Sequence, residues 1–259
     1  MKNDAADRMP VAIMFDVDET LISTGGAATR SWRYAFDRVR GVAADIEKFT
    51  EPGMTDPEVG RLTFVRVLGR PPTDREMARL LGAYLERLAD EVQQSPGYRI
   101  MPGVEVLLPR LTDAGILLGI VSGSLEAAAH IKLGRGRLNR FFSVGGYGSD
   151  STDRGELTRL AIERCGRIHG HPVLPERVLV VGDTPRDIDA AHAAGAIAVG
   201  VATGKYTVDA LRAAGADYVL PTLEAPLPGV PANHLRPKVL RGHDVDASSK
   251  NPSPLESKK

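Results

Sequence analysis

Residues 11–22 read VAIMFDVDETLI: five apolar residues, Val11 to Phe15, run straight into Asp16 and, two positions on, Asp18. A short run with no polar face to offer water reads as a strand buried on both sides, the kind found in parallel sheets covered by helices. Three further runs behave the same way: Ile116 to Val121, Val178 to Val181 and Ile197 to Val201. Between and after them lie stretches with helical periodicity, Val104 to Ala114, Glu126 to Leu133, Glu156 to Ile168, Asp187 to Ala194 and Val208 to Ala214. Strand alternating with helix predicts an α/β fold built on a doubly wound parallel sheet. In such sheets ligands bind just beyond the carboxyl ends of the strands, so the residues there take priority.

Residues 22–100 break the alternation. They carry strong helical patterns, notably Ala28 to Arg40 and Asp74 to Val92, and no convincing strand run, so they read as a helical domain inserted after the first strand. Gly25-Gly26 and Ser95-Pro96-Gly97 are the expected joints. The expected organisation is a core domain of residues 1–21 and 101–223, an inserted domain of residues 22–100, and a disordered tail at 224–259, rich in Pro, Ser, Lys and Asp and short of apolar surface to offset its ordering entropy.

Lys plus Arg and Asp plus Glu both total 33, so the formal net charge is zero, which gives no broad electrostatic footprint for nucleic acid or an anionic membrane. A small anionic substrate would need local charge instead. The single cysteine, Cys165, has no partner for an intramolecular disulfide, and the N-terminal residues MKNDAADRMP lack the apolar core of a signal peptide. With no apolar run long enough to cross a bilayer, the expected setting is cytoplasmic, and the expected form a monomer or homodimer.

Asp16 and Asp18 stand two residues apart past the first strand. Two carboxylates that close are costly as a pair of anions unless a cation neutralises them or one holds a proton. The second acidic group is in VLVVGDTPRDI at 178–188, where Asp183 follows a buried strand and Asp187 stands near a helix start. Capping alone would explain Asp183, Thr184 and Asp187, but three carboxylates at strand ends form a natural site for magnesium, which prefers hard oxygen ligands. The third strand ends at Ser122-Gly123-Ser124, where a hydroxyl and free backbone N–H groups suit phosphate oxygens.

Taken together, FDVDETL (15–21), VSGS (121–124) and VVGDTPRDI (180–188) resemble three ordered motifs of the haloacid dehalogenase superfamily of phosphohydrolases, and the resemblance extends from Val11 to about Leu223. It implies that Asp16 attacks phosphorus to form an aspartyl-phosphate, that Asp18 serves as general acid and then base, and that Ser122 binds the transferring phosphoryl group. It further implies magnesium held by Asp16, the backbone carbonyl of Asp18 and Asp183, with Asp187 supporting from behind. The acid at position 18 favours phosphate chemistry over carbon–halogen cleavage. The family's usual lysine motif is missing: the corresponding stretch reads SDSTDRGEL (149–157), which leaves Arg154 and, from HIKLGRGRLNRFF (130–142), Lys132 as rival cations. Glu19 departs from a place where glycine is common.

The insert resembles the family's helical cap, with Thr55 and Asp56 in EPGMTDPEVG (51–60) the expected contacts to the leaving group and Gly123 and Ser124 the expected companions of Ser122 in substrate binding. VATGKYTVDALRAAGADYVLPTL (201–223) is similar to the carboxyl end of phosphoglycolate phosphatase-like members. The expected substrate is thus a small phosphorylated metabolite, with phosphoglycolate as the subgroup's suggestion. A sugar-phosphate mutase or phosphotransferase on the same fold is the rival enzyme, and a non-catalytic phosphometabolite-binding protein the rival from another class. GVATGKYT (200–207) lacks the spacing of a nucleotide-binding P-loop, and His169 and His171 have no further ligands to complete a zinc site.

Overall fold

The structure is a computed structural model that describes residues 9–231. In chain order its elements are β1 (Ala12–Phe15), β2 (Ile22–Ser23), α1 (Ala27–Arg40), α2 (Asp56–Leu68), α3 (Asp74–Gln94), β3 (Arg99–Ile100), α4 (Val104–Asp113), β4 (Leu117–Ser122), α5 (Glu126–Arg135), β5 (Val144–Tyr147), α6 (Arg154–His169), β6 (Val178–Gly182), α7 (Pro185–Ala193), β7 (Ile197–Val201), α8 (Val208–Ala213) and β8 (Tyr218–Leu220). Six strands form one parallel sheet in the order β5-β4-β1-β6-β7-β8. The chain builds outward from β1 through β4 and β5, then returns to β1's other flank to lay down β6, β7 and β8. The order therefore reverses between β1 and β6, where Phe15 stands beside Val181.

Successive strand residues point to opposite faces, and both faces are buried. Ile13, Phe15, Leu179 and Val181 join one core with α4 and α5 through Leu107, Leu108, Leu111 and Leu133. Ala12, Met14, Val178 and Val180 join the other with α6, α7 and α8 through Leu157, Ala161, Ile188 and Leu211. This is the doubly wound α/β fold expected from the four apolar runs.

The helices α1, α2 and α3 form a third core around Trp32, Phe36, Phe64, Leu80, Tyr84 and Leu88, closed on one side by Leu125 and Ala128 of the α5 region. Thr55 and Thr73 start α2 and α3 with capping boxes, each hydroxyl accepting from the backbone N–H three residues on while Glu58 or Glu76 bonds back. The chain leaves the sheet for these helices and returns to it through β2 and β3, which pair antiparallel, Ile22 with Ile100 and Ser23 with Arg99. Gly25 has φ +59° there, and a Cβ on it would lie 2.3 Å from the carbonyl carbon of Gly97.

The structure departs from the sequence reading in three places. The segment 22–100, read as free of strands, carries β2 and β3 at its two ends. The main sheet has two edge strands that no apolar run announced. β5 reads VGGY, and a Cβ on Gly146 would fall 2.0 Å from the Leu157 carbonyl oxygen, so the glycine lets α6 press onto the strand. The other is β8, only three residues long. Finally, the expected tail begins too early at 224: Leu227 and Val230 are buried in the first core beside Leu223, while residues 232–259 lie outside the described part of the chain. Among the described residues no helix is long and apolar enough to cross a membrane.

Candidate active site

The reversal of strand order brings Asp16, the first residue after β1, beside Asp183, the first after β6. The Asp16 backbone N–H donates to Val181 O at 2.9 Å, which ties the two strand ends together. Asp187, in the first turn of α7, reaches back so that Asp16, Asp183 and Asp187 each present an oxygen within 4.8 Å of the others, all three buried. Burial and mutual repulsion act in one direction. Desolvation first, then the neighbouring Asp187, raises the Asp16 carboxyl from 3.8 to about 7 against the opposing pull of Arg154. Desolvation, with Asp187 and Asp16 behind it, takes Asp183 to about 9.

Two buried cations serve different members of this group. Arg154, at the start of α6, has its Nη2 bonded to Asp187 Oδ1 and 3.4 Å from Asp16 Oδ1, and its Nη1 donates to Gly53 O at 3.2 Å. Its Nε has no hydrogen-bond partner among the described residues. Lys132, on α5, places Nζ 2.5 Å from Asp18 Oδ2 and 2.8 Å from Ser124 Oγ. Burial alone would lower the Lys132 ammonium, but Asp18 and Asp56 more than offset it and its pKa stands above the ordinary lysine value. Both rival cations of the sequence therefore reach the cluster, Arg154 at the Asp16–Asp187 side and Lys132 at the Asp18 side.

The donor set suits a small divalent cation. Asp187 has both oxygens engaged, Oδ1 by Arg154 and Oδ2 by the Thr184 backbone N–H at 3.0 Å and hydroxyl at 2.7 Å, so it braces the cluster. Asp183 accepts from Thr20 Oγ1 at 3.3 Å, and Gly204 packs so closely that a Cβ there would be 1.9 Å from Asp183 Oδ2. Asp16 and Asp183 thus keep oxygens for a hard cation, and buried carboxylates raised in pKa are those a divalent charge would relieve. The Asp18 carboxylate turns away toward Lys132 and Ser124.

Ser122 ends β4 and is buried; its Oγ accepts from Ser124 N at 3.2 Å. Gly123 lies under the helical segment: its carbonyl accepts from Asp56 N at 2.8 Å, and a Cβ on it would meet Met54 O at 2.6 Å. Asp56 Oδ2 in turn accepts from Leu125 N at 2.8 Å. The loop before α2 therefore sits on the turn after β4. Thr55, expected to contact substrate, is buried in its capping box with Glu58 and does not line the cavity; its neighbour Asp56 does. Glu19 occupies the left-handed region at φ 55°, the conformation for which glycine is the usual residue, and its carbonyl accepts from Thr203 Oγ1 at 2.6 Å.

These groups open into a cavity of about 490 Å³ between the strand ends and the helices, with Asp16, Asp18, Ser122, Lys132, Arg154 and Asp183 at its floor. Its roof includes residues the sequence reading did not assign to a site. Trp32 and Tyr84, separated by 52 positions, stack with ring centroids 4.3 Å apart and belong to helices whose periodicity announces only a core. Gly204 and Thr203 likewise gave no signal, since their role lies in close backbone approach to other segments.

Known proteins resemble this chain over most of its length. The chain is 26% identical over 241 residues to the phosphoglycolate phosphatases of Salmonella choleraesuis (strain SC-B67) and Escherichia coli (strain K12), covering 86% of this chain and 93% of each relative. Solved structures share the fold: a predicted phosphoglycolate phosphatase from Haemophilus somnus 129pt, at TM-score 0.64 and 21% identity over 82% of this chain and 94% of that one, and a beta-phosphoglucomutase from Clostridium difficile, at TM-score 0.65 and 21% identity over 83% and 92%. A family model described as haloacid dehalogenase-like hydrolase matches residues 11–195, a span that begins at β1 and contains Asp16, Asp18, Ser122, both cations, Asp183 and Asp187; the chain belongs to that family of hydrolases.

Proposed function

We propose that this hydrolase cleaves phosphate monoesters of small alcohols with magnesium as cofactor, Asp16 acting as nucleophile and Asp18 as proton donor and acceptor. The observation that carries the reading is the division of labour between two carboxylates two residues apart. Asp16 is buried in the acidic cluster at the reversal of strand order, whereas Asp18 is held by Lys132 and Ser124 beside the cavity. Asp16 attacks phosphorus, and the ester oxygen departs with a proton from Asp18. Asp18 then takes a proton from water, whose oxygen attacks the aspartyl-phosphate, releases inorganic phosphate and restores Asp16. Lys132 positions Asp18 and adds positive charge near the phosphoryl oxygens, with the Ser122 hydroxyl as a further donor. Arg154 orients Asp16 and Asp187. Asp16, the Asp18 backbone carbonyl and Asp183 would hold the magnesium ion, which supplies charge neutralisation for carboxylates and phosphate alike.

Residues 22–100 act in this reading as a cap domain over the core, excluding water from the reacting phosphorus. The contacts of Gly53 with Arg154 and of Asp56 with Gly123 and Leu125 support it, because they tie the roof to groups at the floor.

The test is release of inorganic phosphate from a panel of phosphomonoesters, with magnesium and with chelator, by wild type and Asp16→Asn. Metal-dependent release that falls by about 10³-fold or more in the variant is expected. Wild-type turnover in Asp16→Asn would overturn the covalent mechanism, and phosphate retained in an isomerised sugar would replace hydrolysis with mutase chemistry.

A further inference from the structure

Lys132 belongs to the cavity floor, yet the helix that carries it, α5, packs on two cores at once. Ala129 and Leu133 face the first core of the sheet, whereas Leu125 and Ala128 close the third core around Trp32 and Tyr84. Helix ends on each side are completed by a residue from the other. α5 starts from Leu125, which has no side-chain oxygen to offer the first N–H groups, and Asp56 of the helical segment accepts from Leu125 N at 2.8 Å. α3 has no basic residue in its last turn, and Arg135 of α5 supplies one: its Nη1 donates to Val92 O at 2.5 Å and to Ser95 O at 2.8 Å. The Arg135 guanidinium also lies 4.6 Å from the centre of the Tyr98 ring, and the Tyr98 hydroxyl donates to Lys132 O at 2.9 Å. That carbonyl is among the last four of α5, which have no N–H of their own helix to pair with. Gly136 leaves room for the approach, since a Cβ on it would be 3.0 Å from the Tyr98 hydroxyl oxygen. Neither Arg135 nor Tyr98 lines the cavity.

We propose that Arg135 and Tyr98 are positioning residues for the reaction, acting through Lys132. The inference rests on the phosphomonoesterase reading, in which Lys132 holds Asp18 and adds charge near the phosphoryl oxygens. A lysine ammonium rides on a flexible four-carbon stem, so its place depends on where the backbone starts the stem and on what grips the far end. Asp18 and Ser124 grip the far end, at 2.5 and 2.8 Å from Nζ. Tyr98 fixes the near end through the carbonyl of Lys132 itself, and Arg135 fastens both Tyr98 and the last turn of α5 to the end of α3. The helical segment therefore does more than cover the floor: it sets the place of one of the floor's charges. Misplacing a reacting or positioning group by about 1 Å costs about 10²-fold in rate, so losing one of these anchors should cost about 10-fold.

The experiment is a double-mutant cycle. Arg135→Met and Tyr98→Phe are each made in the wild-type chain and in Lys132→Met, and kcat/KM is measured with magnesium on p-nitrophenyl phosphate. With Lys132 present, each substitution should lower kcat/KM by about 10-fold; in Lys132→Met the same substitutions should change it by less than about 2-fold, because the group they act through is gone. A purely structural role lowers activity by the same factor in both backgrounds. The dissociation constant of inorganic phosphate with magnesium, from titration calorimetry, gives the same cycle without turnover, and it decides where Lys132→Met is too slow to assay. There Arg135→Met and Tyr98→Phe should weaken phosphate binding about 3-fold or more with Lys132 present, and leave it within about 2-fold in Lys132→Met. Equal factors in the two backgrounds, or no loss in either, overturn the inference and leave the phosphatase standing. No phosphate release by the wild-type enzyme from p-nitrophenyl phosphate or any other ester overturns both.

Discussion

Asp16, raised to about 7, and Asp183, raised to about 9, draw the stability of the metal-free protein toward low pH. Each folded-state value lies above the unfolded value near 3.8, so folding favours the protonated carboxyl. Stability without metal is therefore greatest below about pH 4 as far as these groups are concerned, and it is lost as pH rises toward about 7 for Asp16 and about 9 for Asp183. A divalent ion competes with those protons. Magnesium should accordingly raise the melting temperature more at pH 8 than at pH 5, measured by thermal unfolding with magnesium and with chelator; an equal rise at both would contradict the site. The two cations should separate under substitution. Lys132→Met removes charge from the phosphoryl end and should lower kcat/KM on every ester by about 10²–10³-fold. Arg154→Met leaves Asp16 and Asp187 buried without their partner, and should lower stability by about 3 kcal/mol or more as well as raising the magnesium requirement. Urea unfolding and magnesium titration of both variants check this, and equal losses of stability would refute the division.

At the scale of elements, the parts of the sheet that were legible in the sequence are those with a continuous apolar signal. β1, β4, β6 and β7 follow the four runs to within a residue at each end. β5 was illegible because two of its four residues are glycines, Gly146 beneath α6 and Gly145 against the Tyr147 ring, and β2 and β3 because two-residue strands have no periodicity to display. The site shows the same split. Asp16, Asp18, Ser122 and Asp183 advertise themselves by standing at strand ends, while Tyr84 and Trp32 look like any core aromatic until tertiary packing turns them toward a cavity. Thr55 misled because a threonine before an acidic helix start fits substrate contact and capping alike; the capping box shows where its hydroxyl goes. The loop after β7 carries its own prediction. Gly204→Ala puts a methyl where Asp183 Oδ2 stands, so Asp183 must move, and the magnesium needed for half-maximal activity should increase about 10–100-fold, as for other residues that brace a metal ligand. An unchanged magnesium dependence would show that Asp183 is not held by that approach.

Across the whole molecule, the stretch after β8 belongs to the core. Leu223, Leu227 and Val230 are buried against the helices and strands of the first sheet face. Ending the chain after Pro221 should lower stability by about 3 kcal/mol or more, about 6–12 °C in melting temperature, whereas ending it after Pro231 keeps all three side chains. Calorimetry of the two truncations compares them directly, and equal melting temperatures would contradict the packing. The helical segment is joined to the sheet by two crossings that touch, Gly25 against Gly97. The chain has a single tryptophan, Trp32, and it lies in the roof stacked on Tyr84. Indole emission from this protein therefore comes from one place, the wall of the cavity at the strand ends, and an unlabelled sample carries its own optical reporter of whether that space is dry, wet or filled.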